Sequence, residues 1–82
     1  MNEYILYIER DCPLCIRAID LLKSLSEPYS IIDLSEFPSI LKSLKEIYDW
    51  QTVPIIFKKE GKFQVMIGGF SDLEAYSRPL DG

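Results

Sequence analysis

The sequence predicts an α/β fold in the order βαβαββα, with a four-stranded mixed sheet flanked by helices. Three observations predict it. Short runs of β-branched and aromatic residues alternate with stretches whose apolar residues recur every three to four positions. Pro13 and Pro38 stand at the head of the two longest such stretches, where a missing N–H costs nothing and φ already suits a helix. The last two strand-like runs are joined by a glycine-containing turn rather than a helix, which reads as a hairpin. With 82 residues, one domain with a modest core is expected over the whole chain.

Each element follows from its residues. Glu3–Ile8 is nearly all apolar, as a strand buried on both faces should be. Pro13 opens a helix with Cys15, Ala18, Ile19, Leu22 and Leu25 inward and Arg17, Asp20 and Lys23 outward. Ser26-Glu27-Pro28 ends it, and Tyr29–Leu34 reads as the second strand. Pro38 opens a second helix with an apolar stripe of Ile40, Leu41, Leu44, Ile47 and Tyr48; Lys42, Lys45 and Glu46 lie on the opposite, solvated side.

Val53–Phe57 is the third strand, entered through Pro54, and Lys59-Glu60-Gly61-Lys62 is the turn before the fourth, Phe63–Ile67. Gly68-Gly69 breaks the chain. Ser71 and Glu74 then have the spacing of a capping box for a short helix from Asp72 to about Ser77. Tyr4, Tyr7, Trp50 and Phe57 fall on core positions, whereas Lys58, Lys59 and Lys62 read as a solvated hairpin end.

Composition excludes several functions. Nine Lys and Arg against 13 Asp and Glu give a net charge of −4, without the positive footprint of phosphate-mediated nucleic-acid binding or attraction to an anionic membrane. There is no histidine, so triads, Cys-His dyads and His-containing zinc sites are ruled out. Two cysteines cannot fill a four-ligand metal site within one chain. The chain opens without a basic leader, and its apolar runs are far too short to span a membrane. A cytoplasmic location is expected, and in that reducing setting a close cysteine pair is more often redox-active or metal-binding than a structural staple.

Three motifs carry chemistry. Cys12-Pro13-Leu14-Cys15 lies between a strand and the first turn of a helix, where unpaired N–H groups and the positive end of the dipole favour a thiolate. Two buried apolar cysteines, or half of a metal site, are the plainer alternatives. Thr52-Val53-Pro54 stands at the mouth of a strand; a cis bond there would turn the Val53 backbone outward to pair with an extended peptide, although most X–Pro bonds are trans. Gly68-Gly69-Phe70-Ser71-Asp72 combines close backbone approach with a helix start, suited either to a ligand or simply to a capped turn.

In this order, with Arg17-Ala18 after the second cysteine and Trp50-x-Thr52 before the proline, the motifs resemble the glutaredoxin family from Tyr4 to about Tyr76. The resemblance implies a thioredoxin-like fold and glutathione-dependent thiol–disulfide exchange. It implies Cys12 as nucleophile and Cys15 as resolving thiol. It also implies that Thr52 and Val53 bind the glutathione backbone beside a cis Pro54, while Gly69, Ser71 and Asp72 hold the γ-glutamyl end. The chain departs from the family pattern at Glu9, where many members carry lysine, at Leu14, where the usual residue is aromatic, and at Ile55, where a polar residue often follows Val-Pro. Arg10 is then the nearest base for the glycyl carboxylate, against a plainer role as a solvated charge.

The expected activity is reduction of protein disulfides and glutathionyl mixed disulfides by a monomer. Glutathione serves as reducing co-substrate, with no tightly bound cofactor and no metal; disulfide-containing or glutathionylated proteins are the partners, ribonucleotide reductase being one candidate. The alternative is a dimeric iron–sulfur or metal carrier using Cys12 with glutathione as further ligand, against which the stiff Cys12-Pro13 turn argues.

Overall fold

The computed structural model describes residues 2–77. Its elements are β1 (Asn2–Ile8), α1 (Pro13–Ser24), β2 (Tyr29–Asp33), α2 (Pro38–Ile47), β3 (Ile55–Glu60), β4 (Phe63–Gly68) and α3 (Phe70–Ser77). The strands form one sheet in the order β2-β1-β3-β4. β1 pairs parallel with β2 and antiparallel with β3, and β3 pairs antiparallel with β4. The expected mixed sheet with helices on both faces is therefore present.

Two clusters make the core, one on each face, because successive β1 side chains alternate between them. Tyr4 and Leu6 pack with Ala18 and Leu22 of α1, Ile56 of β3 and Leu73 of α3. On the other face Leu34, Leu41, Ile55 and Phe57 pack together, with Ile5, Tyr7, Leu44, Trp50 and Met66 against them. Phe57 meets Tyr7 and Tyr48 edge-on, with ring centroids 5.8 and 5.0 Å apart.

Both long helices end in a residue of positive φ that lets the chain reverse. After α1, Ser26 (φ 55°) donates from its N–H to the Lys23 carbonyl and Glu27 donates to that of Leu22. After α2, Asp49 (φ 51°) donates to Glu46 and Trp50 donates to Lys45. These paired bonds are Schellman motifs, which satisfy the last carbonyls of each helix. The second one folds Trp50 and the segment after it back toward the cysteines.

Four expectations change. β3 starts at Ile55, two residues later than expected, and continues to Glu60, so Val53 and Pro54 lie ahead of the ladder. The turn shrinks to Gly61-Lys62, with positive φ at Gly61 only, as a tight type II′ hairpin requires. A Cβ at Gly61 would meet nothing within 4 Å. The α2 stripe is only partly covered: Leu41 is buried, whereas Ile40 and Ile47 are exposed and Tyr48, though edge-on to Phe57, is 40% exposed. Lys58 is not a solvated hairpin charge. Its ammonium lies 5.6 and 5.1 Å from the Tyr4 and Tyr76 ring centroids and donates to the Tyr76 hydroxyl at 3.3 Å.

Candidate functional site

The site is built where β1 hands the chain to α1. Asp11 adopts φ 58° and turns the chain so that Cys12 becomes the N-cap of α1, with Pro13 following at the first helical position. A sulfur thus fills the place usually taken by a hydroxyl or carboxylate oxygen. The Cys15 N–H donates to Cys12 Sγ at 3.1 Å. An N–H aimed at this sulfur from the positive end of a helix stabilises negative charge on it.

Cys12 and Cys15 form a disulfide with a Cα–Cα distance of 5.2 Å. Cys15 is 1% exposed within the α1 side of the core, whereas Cys12 is only half-buried and reaches the surface. Access is therefore unequal, and an incoming group meets Cys12 first.

A cavity of about 370 Å³ opens beside Cys12 and is walled by Leu14, Thr52, Val53, Glu9, Arg10 and Lys45, among others; that size lies in the range of small-molecule clefts, roughly 300–1,000 Å³. The Val53 carbonyl oxygen lies 3.7 Å from Cys12 Sγ. The Val53–Pro54 bond is cis, as the resemblance implies, and Pro54 is buried. Thr52 is exposed.

The glycine segment packs beside Pro54 and Trp50. A Cβ at Gly69 would lie 3.8 Å from the Pro54 carbonyl oxygen and 3.7 Å from the Trp50 ring. Gly69, not Ser71, begins α3: its carbonyl accepts from the Leu73 N–H, and its own N–H donates to Asp72 Oδ2 at 2.9 Å. The capping box expected from Ser71 and Glu74 is thus replaced by its reciprocal half, a carboxylate on the third helical residue reaching back to the cap. Gly68 has φ 124°, and a Cβ there would stand 2.6 Å from Asp72 Oδ2, so the carboxylate reaches Gly69 only because Gly68 has no side chain. Ser71 is exposed and faces a second cavity rather than the first.

The structure brings Arg10, Cys12, Leu14, Thr52 and Val53 around one cavity and packs Gly69 against the Pro54 carbonyl. The Arg10 side chain is exposed, as the plainer reading has it, and sits in a surface ion pair. Its guanidinium pairs with Glu36, and its backbone N–H donates to Ser35 Oγ at 2.6 Å. Ser35 in turn donates from N–H and hydroxyl to Asp33 Oδ1 at 2.9 and 2.6 Å. Those two bonds hold the Asp33 carboxyl below its ordinary value, helped by the Arg10 charge. Arg10 thereby ties the cysteine loop to the start of α2. Helical periodicity puts Lys45 on the solvated side of α2; it is instead half-buried at the mouth of the site. No sequence signal marked it, because the curl of the chain after Asp49 decides which side of α2 faces the cavity.

Comparison with known proteins supplies an independent view. A family model described as glutaredoxin matches residues 4–63. Glutaredoxin-1 of vaccinia virus (strain Copenhagen) is 35% identical over 78 residues, covering 88% of this chain and 68% of its own length. Glutaredoxin-1 of variola virus (isolate Human/India/Ind3/1967) is 36% identical over the same span. Among solved structures, glutaredoxin 1 from Francisella tularensis, complexed with cacodylate, superposes with a TM-score of 0.73 at 21% identity, covering 94% of this chain and 93% of that one. The glutaredoxin-like NrdH-redoxin from Escherichia coli, described by its thioredoxin-like activity profile, superposes with a TM-score of 0.66 at 16% identity, covering 96% and 99%.

Proposed function

Because the chain belongs to the glutaredoxin family and so is a thiol–disulfide oxidoreductase, we propose that glutathione is its reducing co-substrate and that it acts on glutathionyl mixed disulfides and protein disulfides. The observation that carries this reading is the Val53 backbone beside the reactive sulfur, its carbonyl 3.7 Å from Cys12 Sγ and free of the β3 ladder. Such a segment offers an unpaired N–H and C=O to an extended tripeptide lying across Cys12.

In the proposed cycle the Cys12 thiolate attacks the glutathione sulfur of a mixed disulfide. The substrate leaves as a thiolate and takes a proton, and glutathione remains on Cys12. A second glutathione then attacks the sulfur of the bound glutathione, forming glutathione disulfide and releasing Cys12 as thiolate; in the dithiol branch Cys15 instead attacks Cys12 Sγ, releasing glutathione as the Cys12–Cys15 disulfide forms. Thr52 and Val53 would align the peptide backbone. Gly69 and Asp72 would meet the γ-glutamyl end, although one Asp72 oxygen already accepts from Gly69; Ser71, which lines the second cavity, would join them only if that end extends past Leu14, the residue both cavities share. Lys45 is the better base for the glycyl carboxylate, since the Arg10 guanidinium is held by Glu36. Glu9 lines the same cavity and weakens that attraction.

The test is turnover of a glutathionylated peptide with glutathione and glutathione reductase, run beside the same reaction driven by thioredoxin reductase. Efficient turnover only in the second system would overturn the choice of glutathione. The carrier alternative would need Cys12 from two chains. Anaerobically purified protein that is brown and contains iron and sulfide would support it.

A further inference from the structure

We propose that the groove between α1 and α3 docks an extended segment of the disulfide-bearing protein substrate, with an apolar side chain against Leu14, Leu21 and Phe70 and a basic side chain between Asp20 and Glu74. The inference rests on Cys12 being the attacking thiol and extends that reading to partner selection.

The groove has a volume of about 680 Å³, within the usual span of ligand clefts, roughly 300–1,000 Å³. Leu14 walls both this groove and the cavity beside Cys12. It is 45% exposed and lies between the two cysteines in sequence. A chain whose sulfur sits at Cys12 and which crosses Leu14 therefore enters the groove without turning. Continuity with the reacting sulfur distinguishes this surface from the other exposed apolar residues of the molecule.

The lining also selects by charge. Arg17 lines the groove as well, its guanidinium carbon 6.0 Å from the Phe70 ring centroid at the limit of a cation–π contact, so the two acids of the lining outnumber its one base. Asp20 from α1 and Glu74 from α3 line the same groove, and among the described residues neither has an ion-pair partner. Two carboxylates on separate helices lining one groove, neither in an ion pair among the described residues, suit a lysine or arginine. The chain's net charge of −4 adds long-range attraction for a basic segment. The cavity beside Cys12 differs, because there Arg10 and Lys45 balance Glu9 and Asp11.

Charge reversal tests this. Pre-reduced protein is mixed with two peptides of equal length, each closed by an internal disulfide and carrying either Leu-Lys-Lys or Leu-Glu-Glu beside its cysteine. In each turnover the peptide disulfide takes two electrons and two protons from Cys12 and Cys15, whose own disulfide forms. The unaltered protein should reduce the lysine peptide about five-fold faster at low ionic strength, with the preference fading in high salt. D20K/E74K should reverse the preference, and D20N/E74Q should abolish it. Bis(2-hydroxyethyl) disulfide, too small to fill the groove, should react at one rate with all three proteins. A preference that is absent, or that survives in D20K/E74K, overturns the docking site while normal reduction of the small disulfide leaves the exchange reading intact. Failure to reduce any disulfide overturns the exchange reading and the docking site with it.

Discussion

The two faces of the sheet are packed differently. On the α1/α3 face Leu6, Ala18, Leu22, Ile56 and Leu73 are all fully buried, and the two helices close over the strands together. On the α2 face a single helix must cover the sheet, and it leaves Ile40 and Ile47 in solvent and Tyr48 only partly covered by Phe57. The site draws on both. Cys15 belongs to the tight face, whereas Trp50, Val53 and Lys45 belong to the looser one. A rigid anchor under one sulfur and a less constrained wall opposite it suit a site that holds a helix start still while admitting substrates of differing shape.

The sharpest way to break this division is at the cysteines. Cys12→Ser should abolish turnover, since the attacking thiolate is gone. Cys15→Ser should retain turnover of glutathionyl mixed disulfides and lose only steps that need the internal disulfide. Kinetics on a glutathionylated peptide and on a protein disulfide separate the two, and the reverse pattern would exchange the roles.

Next comes packing. Leu22→Ala on the tight face should lower stability by about 2–5 kcal/mol, because a closed core leaves a cavity. Ile47→Ala, at a residue 71% exposed, should stay within about 0.5 kcal/mol. Urea midpoints at constant slope measure both, and equal losses would erase the distinction between the faces.

The Tyr4–Lys58–Tyr76 cluster gives the tight face a smaller, alkaline signature. Burial raises the Tyr4 pKa above its ordinary 10.0. Burial opposes the Lys58 charge, but the Tyr76 hydrogen bond and the nearby Tyr4, Tyr76 and Glu60 outweigh it, so its pKa also lies above the ordinary 10.5. Both groups hold their protons more tightly when folded. Their contribution is therefore complete below about pH 10 and is lost as pH rises through the folded values. Urea midpoints between pH 8 and 11 should fall, and Tyr76→Phe should flatten the fall.

The smallest effect is expected at the mouth. Glu9→Lys should lower the Cys12 pKa in the reduced protein and tighten glutathione binding at low salt, the gain shrinking as salt rises. Thiolate absorbance and glutathione kinetics read it. No change in either would mean that Glu9 acts on neither group.

Much of this was legible in the sequence because it is local. Pro13 and Pro38 mark helix starts, the nearly continuous apolar run of β1 marks a strand with two buried faces, and Cys12-x-x-Cys15 before an amphipathic run marks the reactive sulfur. What escaped depends on distant parts meeting. Lys45 looks solvated on a helical wheel because periodicity cannot know that the chain curls back after Asp49. Arg10 looks free because Glu36 is 26 positions away. The start of α3 was misplaced because a Ser-x-x-Glu spacing is a stronger pattern than a glycine cap, and only the crowding of Gly68 against Asp72 reveals which of the two operates.

The two-residue hairpin at Gly61-Lys62 has a practical consequence. β3 leaves the site at Ile55 and ends at Glu60, so the tip stands roughly 20 Å from the chemistry at the usual rise per residue. Gly61 has nothing within reach of an added Cβ, and such exposed tips tolerate inserted sequence well. The molecule thus carries its own attachment port. A fluorescent domain, an affinity handle or a surface linker grafted between Gly61 and Lys62 would leave both cysteines and both cavities open, which makes this end of the sheet the place to immobilise the enzyme or turn it into a reporter of cellular redox state.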